Sequence, residues 1–341
     1  MCPQGCGGSS PPFGTTSSTS LSAIERRVSP PRPLSHTLET LVGFLLFHRR
    51  EPTPDVIEGL RREVRAQPPI EEDGVEADAL WTQKRNQLRA LLLARDPHDF
   101  LRWDPIRTTM VKRGRGPTGA ELAHLRRRPD WSDRWRRALR ESTAGRPRPF
   151  VRFPWSSTAL IHHAYHACRF EEATRRPLDR FGFILEFGGG YGGMCRLIHQ
   201  LGFRGEYWIY DLPEVSAVQR FFLRTVGIDV ASDEAHGACG VRTFCDPARL
   251  RAALADPPIA EAAFIAAWSL GETPVSLREK ILPGVSAFDA FLVGYTEQFA
   301  DIDNVAFFRT WRSTLRGHVW HDVPLPHLKK REWYLFGARE H

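Results

Sequence analysis

The sequence predicts an α/β chain: a doubly wound, mostly parallel seven-stranded sheet with an antiparallel last strand, preceded by a helical N-terminal region. Three observations predict it. From residue 181 onward, short apolar runs alternate with segments of helical period. A glycine cluster, Gly188-Gly189-Gly190-Tyr191-Gly192-Gly193, directly follows the first of those runs. The last two apolar runs, 318–323 and 333–337, leave no room for a helix between them, so they should pair antiparallel.

Along the chain, residues 1–33 are rich in Gly, Ser, Thr and Pro and lack apolar periodicity, so a disordered tail is expected. Residues 34–150 read as a helical, basic region. Leu38, Leu41, Val42, Leu45 and Leu46 recur at helical spacing until Pro52 and Pro54. Leu80, Trp81, Leu88, Leu91 and Leu92 form a second run that stops before Pro97. Residues 112–117 read as a mobile loop. A basic stretch follows, with Arg126-Arg127-Arg128, Trp131 and Arg134-Trp135-Arg136-Arg137. The catalytic domain is expected over 151–341. Ser156-Ser157 should cap a helix carrying Leu160, Ile161, Ala164, Tyr165 and Cys168. Strands are read at 181–187, 206–210, 241–245, 263–267, 289–295, 318–323 and 333–337. Helices fall near 193–201, 213–226, 247–255, 274–282 and 303–315.

At 341 residues, with 42% apolar and 26% charged content, the chain can bury a core without disulfides or structural metals. Six cysteines without a Cys-x-x-Cys pair suggest a reduced, cytoplasmic protein. The apolar run Leu41 to Phe47 is too short to span a membrane, and no secretory signal is visible. The net charge is +7, and residues 1–150 hold 26 Lys+Arg against 18 Asp+Glu, so the basic excess belongs to the N-terminal half. Such a half could meet nucleic acid, anionic lipid or a phosphorylated substrate, but a solvated helix face is the favoured explanation.

In the glycine cluster, the missing side chains allow a tight turn and close approach to a ligand. The helix that follows presents free N–H groups and a positive dipole end. Gly188, Gly190 and Gly193 satisfy the dinucleotide spacing Gly-x-Gly-x-x-Gly. Glu186, Gly188, Gly190 and Gly192 satisfy the acidic-x-Gly-x-Gly-x-Gly pattern of class I methyltransferases, which the segment resembles. In either class a carboxylate at Asp211 would accept from ribose hydroxyls. The acidic residue at 186, the single sheet domain after residue 188 and the terminal antiparallel pair favour S-adenosylmethionine over a nicotinamide cofactor.

The run from Ile184 to Gly192, with Leu201-Gly202-Phe203-Arg204-Gly205-Glu206-Tyr207 and Ile209-Tyr210-Asp211-Leu212-Pro213-Glu214, resembles the sugar O-methyltransferase family. Weaker pieces are Ala267 to Pro274, Ile302-Asp303-Asn304, Pro326-His327-Leu328 and Tyr334-Leu335-Phe336-Gly337; Gly271 departs from the small polar residue expected there. The likeness covers about residues 155–340. It implies a class I Rossmann-like fold, S-adenosylmethionine as cofactor and methyl transfer to oxygen. The acceptor would be a sugar hydroxyl on a polysaccharide or glycosylated natural product. A non-sugar secondary metabolite is the alternative, and a nucleic-acid-binding protein with a retained methyltransferase domain is a third, disfavoured one.

Cofactor contacts are expected from Glu186, Gly188, Gly190, Gly192, Asp211, Asp246 and Trp268. Asp246 would reach the adenine amino group, or else cap the helix after Pro247. A sugar hydroxyl is a poor nucleophile at neutral pH, so a general base or a divalent metal is needed. His162, His163, His166, His321 and His327 are candidate bases, with His163 and His166 preferred because their helix precedes the cofactor strand. Glu272 could orient the acceptor, bind metal or cap a helix. No metal ligands are assigned.

Overall fold

The computed structural model describes residues 38, 41–43, 45–70, 76–111, 115–232, 240–255, 261–328 and 331–340. The expected tail at 1–33 lies outside them.

An eight-stranded sheet forms from β1 (Phe183–Phe187), β2 (Glu206–Tyr210), β3 (Val230–Ser232), β4 (Val241–Phe244), β5 (Ala262–Ala267), β6 (Ala290–Thr296), β7 (His318–Pro324) and β8 (Glu332–Arg339). Its order is β7-β8-β6-β5-β1-β2-β4-β3. Strands β1 to β6 pair parallel, and β8 runs antiparallel to both β6 and β7. All five residues of β1 are buried, as a parallel strand covered on both faces requires. The expected sheet had seven strands. The eighth is β3, an edge strand of three residues, too short to carry a readable pattern.

The helices are α1 (Pro54–Ala66), α2 (Glu76–Ala94), α3 (Asp104–Thr109), α4 (Arg115–Arg126), α5 (Thr158–Thr174), α6 (Gly193–Leu201), α7 (Pro213–Thr225), α8 (Pro247–Leu254), α9 (Val275–Ile281) and α10 (Asn304–Ser313). Of these, α2 and α5 to α10 stand where the periodicity places them, whereas α1, α3 and α4 are not among the runs it marks. Local chemistry sets their ends. Ser157 caps α5 by accepting from Leu160 N, α6 stops at Gly202 with φ of 117°, and Asp303 caps α10. Residues 115–117, expected in a mobile loop, instead form the first turn of α4; Pro117 is tolerated there because the first N–H groups of a helix have no partner inside it. The rest of that loop lies outside the described residues.

The N-terminal helices pack on the sheet domain. Leu60 and Val64 of α1 and Leu88 and Leu92 of α2 join one core cluster with Val218 and Phe222 of α7. Glu63 pairs with Arg220 at 2.8 Å, Arg85 with Glu214 at 2.8 Å, and Gln67 donates to the Pro213 carbonyl at 2.8 Å. Two arginines of the basic stretch are neutralised internally, while Arg126, Arg127, Arg136 and Arg137 are exposed. Arg128 and Arg134 share Asp130 and Glu171, Arg134 also reaches Asp179, and Trp135 is fully buried. Among the described residues no helix is long and apolar enough to cross a membrane.

Candidate active site

The chain leaves β1 towards β2 on one side, while β5 lies on the other, so the strand order reverses at β1. Ligands of open α/β sheets bind at such a switch point, beyond the carboxyl ends of the strands. A cavity of about 630 Å³ lies there. Its wall includes Glu186 to Tyr191, Asp211, Trp268 and Glu272 from the sheet side. Trp81 and Arg107 to Val111 close it from the N-terminal helices.

The glycine loop is built for close approach. Gly188, Gly190 and Gly192 have φ of 69°, 55° and 92°, a region that side chains disfavour. A Cβ on Gly188 would sit 2.2 Å from the Ser269 Cβ, and Ser269 is held by its hydrogen bond to the Phe187 carbonyl. Gly192 ends the turn as the N-cap of α6 and packs near Leu223, off the cavity wall.

Asp211 follows β2 on the cavity wall. Its carboxylate accepts from Gly190 N at 3.1 Å, Leu212 N at 2.8 Å and Gln219 Nε2 at 2.9 Å, and Gln219 also donates to the Gly190 carbonyl at 2.9 Å. Burial pushes its pKa up to about 7, and these three donors only partly oppose it. Glu186 is pushed up to about 8, again by burial, against the hydrogen bond from the Tyr207 hydroxyl and with help from the charge of Asp211. Two carboxyl groups displaced towards neutrality on one cavity wall single this cavity out as the candidate site.

Two of the three histidines of α5, His162 and His166, meet Trp268. Its indole lies 5.5 Å from the His162 ring, 5.0 Å from His166 and 5.6 Å from Tyr334. Trp268 itself has φ of 55°, unusual for a bulky residue. His166 Nδ1 is 2.5 Å from the Tyr334 hydroxyl. His163 borders the cavity, but its two ring nitrogens are buried without hydrogen-bond partners among the described residues. Burial, then the nearby His162, pushes its pKa down to about 3. His321 lies within β7, opposite Phe336. His327, in the turn after β7, reaches Glu121 at 3.3 Å.

Glu272 lies on the cavity wall, and Pro274 is the N-cap of α9, with no side-chain cap among the described residues. Asp246 caps α8 by accepting from Ala248 N at 2.7 Å and is not on the cavity wall, so the structure gives it the capping role. Among the described residues, the side chains with ligand atoms grouped for a metal are His124, Cys168 and Glu172, none of them on that wall. Sequence reasoning missed Trp81, Met110 and Glu121, which come from the N-terminal half.

No family model and no curated protein matches the chain. Solved structures do. One is magnesium protoporphyrin IX methyltransferase from Synechocystis with bound SAH, at 10% identity and a TM-score of 0.37 over 52% of this chain and 83% of that one. Another is a glycopeptide N-methyltransferase complexed with sinefungin, at 14% identity and 0.36 over 51% and 85%. A third is an O-methyltransferase from neocarzinostatin biosynthesis, in complex with S-adenosylmethionine and 2-hydroxy-5-methyl naphthoic acid, at 13% and 0.32 over 53% and 58%. At such values the fold rests on the strand order itself. By that order, the antiparallel β8 and the glycine loop at the switch point, this chain has the class I methyltransferase fold.

Proposed function

We propose that this chain is an S-adenosylmethionine-dependent methyltransferase acting on a hydroxyl oxygen of a small acceptor, with a sugar hydroxyl as the first candidate. The observation that carries this reading is the pairing of Asp211 with Gly190 on the wall of the switch-point cavity. The residues present fit such a cofactor. Gly188 to Gly190 keep bare backbone against the cavity, and a side chain at 188 would collide with Ser269. Asp211 can accept from ribose hydroxyls, and Glu186 can take up negative charge beside a cationic group. The cofactor supplies a methyl group on a sulfonium, with a neutral thioether as leaving group. The chain's own tasks are then to align the acceptor, exclude water and take up a proton. A cavity of about 630 Å³ has the size of a small-molecule site. Trp81 and Trp268 offer flat apolar faces on its wall, and Glu272 a carboxylate, a mixture suited to a hydroxylated ring.

A nucleic-acid role loses support from the ion pairs of Arg128 and Arg134 and the burial of Trp135. Transfer from cofactor labelled in the methyl group, against a panel of saccharides and hydroxylated metabolites, tests the reading. Label should enter a hydroxylated acceptor as an ether; label entering only nucleic acid or an amine would overturn oxygen as the target.

A further inference from the structure

Building on that reading of methyl transfer to a hydroxyl, we propose that His162 takes the acceptor's proton and that Glu121, from the N-terminal helices, is the residue that positions it. Glu121 lies on α4, 1% exposed, and its Oε1 is 2.7 Å from His162 Nδ1 and 3.3 Å from His327 Nε2. Its Oε2 has no partner among the described residues, so the two histidines are what this carboxylate binds. Burial alone would raise its pKa, but His162 and then His327 outweigh burial and hold it down to about 2. The two imidazoles thus favour the ionised form of Glu121 over the protonated one.

An ionised carboxylate only accepts hydrogen bonds, so His162 Nδ1 must carry the hydrogen. In the neutral ring the lone pair then sits on Nε2, across the ring from the nitrogen that Glu121 holds. His162 lies on the cavity wall. Its ring is held between His166, 4.0 Å away between centroids, and Trp268. Trp268 packs closely on Gly294, where a Cβ would lie 3.0 Å from the indole. Its positive φ is backbone strain of the kind found at functional sites.

The other two histidines of α5 are worse placed than the sequence led one to expect. Both nitrogens of His163 are buried, and Nε2 lies against the α6 backbone, 2.8 Å from where a Gly193 Cβ would sit. His166 is 1% exposed and engaged with Tyr334 through Nδ1. In the step, the acceptor's O–H bond breaks and its proton joins Nε2, while the oxygen's electron pair forms the new bond to carbon and the carbon–sulfur pair returns to sulfur. The resulting imidazolium is stabilised by Glu121, and its proton later leaves to water. A carboxylate fixing the ring orientation and tautomer of a histidine base is the arrangement that makes imidazole effective in hydrolase triads.

The test combines a chemical probe with spectroscopy on the full chain. Diethyl pyrocarbonate carbethoxylates accessible unprotonated imidazole nitrogen, and peptide mass spectrometry reads which histidine reacts. His162 should react ahead of His163 and His166, and Glu121→Gln should slow it. Nitrogen-15 spectra of the wild-type imidazoles should show His162 with Nδ1 protonated and Nε2 bare. On any acceptor the wild type methylates, His162→Gln should lose roughly 100-fold or more in turnover while keeping cofactor affinity. Reaction at His163 or His166 first, an Nε2-protonated His162, or an unchanged rate in a folded Glu121→Gln variant would each overturn the proposal. Calorimetry with S-adenosylmethionine separates the failures. Binding with an unreactive His162 sinks only this inference; absent binding sinks the reading beneath it.

Discussion

The Tyr207 hydroxyl donates to Glu186 Oε2 at 2.8 Å, with Tyr207 fully buried and Glu186 almost so where it meets the cavity wall. That single hydrogen bond does not offset the burial of the carboxyl, which pushes its pKa up to about 8. A carboxyl raised by folding keeps its proton where the unfolded chain has released it. Its contribution therefore falls as pH rises from the ordinary value of 4.5 to about 8, then levels off. Asp211 acts in the same direction up to about 7. His163, kept neutral down to about 3, opposes both up to its ordinary 6.5. Between about pH 7 and 8 the fall is due to Glu186. Without added ligand, the melting temperature should decline over that interval, and Glu186→Gln should flatten the decline. An equal slope in the variant would remove Glu186 as its source.

Gly188→Ala should destabilise the fold by about 1–3 kcal/mol, because it combines a positive φ with a collision against Ser269. Chemical denaturation reads the loss. The double change Gly188→Ala with Ser269→Gly should recover part of it, since the steric component goes and the φ component stays. No recovery would mean that the collision relaxes on its own.

Asp211→Asn should leave the fold largely intact and weaken S-adenosylmethionine binding roughly 10- to 100-fold, the value of one charged hydrogen bond. Calorimetry on the variant gives the number directly. Unchanged affinity would show that the end of β2 does not touch the cofactor.

Arg196 of α6 pairs with Glu141, both almost fully buried; Glu141 also accepts from the Ser157 hydroxyl at 2.5 Å, and Arg196 donates to the Arg140 carbonyl at 3.0 Å. Arg196→Ala leaves a buried carboxylate without its cation and should cost about 3–5 kcal/mol. Replacing both with apolar residues should cost much less. Urea unfolding of the two variants compares them, and equal losses would argue against the stranded charge as the cause.

What was legible in the sequence was local. The run Phe183 to Phe187 could be read as a strand because it is apolar throughout, and α6 because glycines close both of its ends. The Asp246-Pro247 pair signalled a cap in the sequence itself, and a cap is what it makes. Strand β3 gave no signal because three residues cannot show a period. Glu121 gave none because its partners His162 and His327 lie 41 and 206 residues further along the chain. For the same reason Trp81 reads only as part of a helical run and Met110 gives no signal, although both reach the cavity wall. The sheet's own site residues follow strand ends and can be located by periodicity, whereas the N-terminal half contributes its residues through tertiary packing alone.

The central claim is that the cavity at β1 takes S-adenosylmethionine. Calorimetric titration of the purified chain with S-adenosylmethionine, with its demethylated product and with NAD tests it most directly. The account predicts binding of the first two in the micromolar range or tighter, about 8 kcal/mol, and no comparable heat with NAD. Tight binding of NAD without a signal from either methionine cofactor would contradict it.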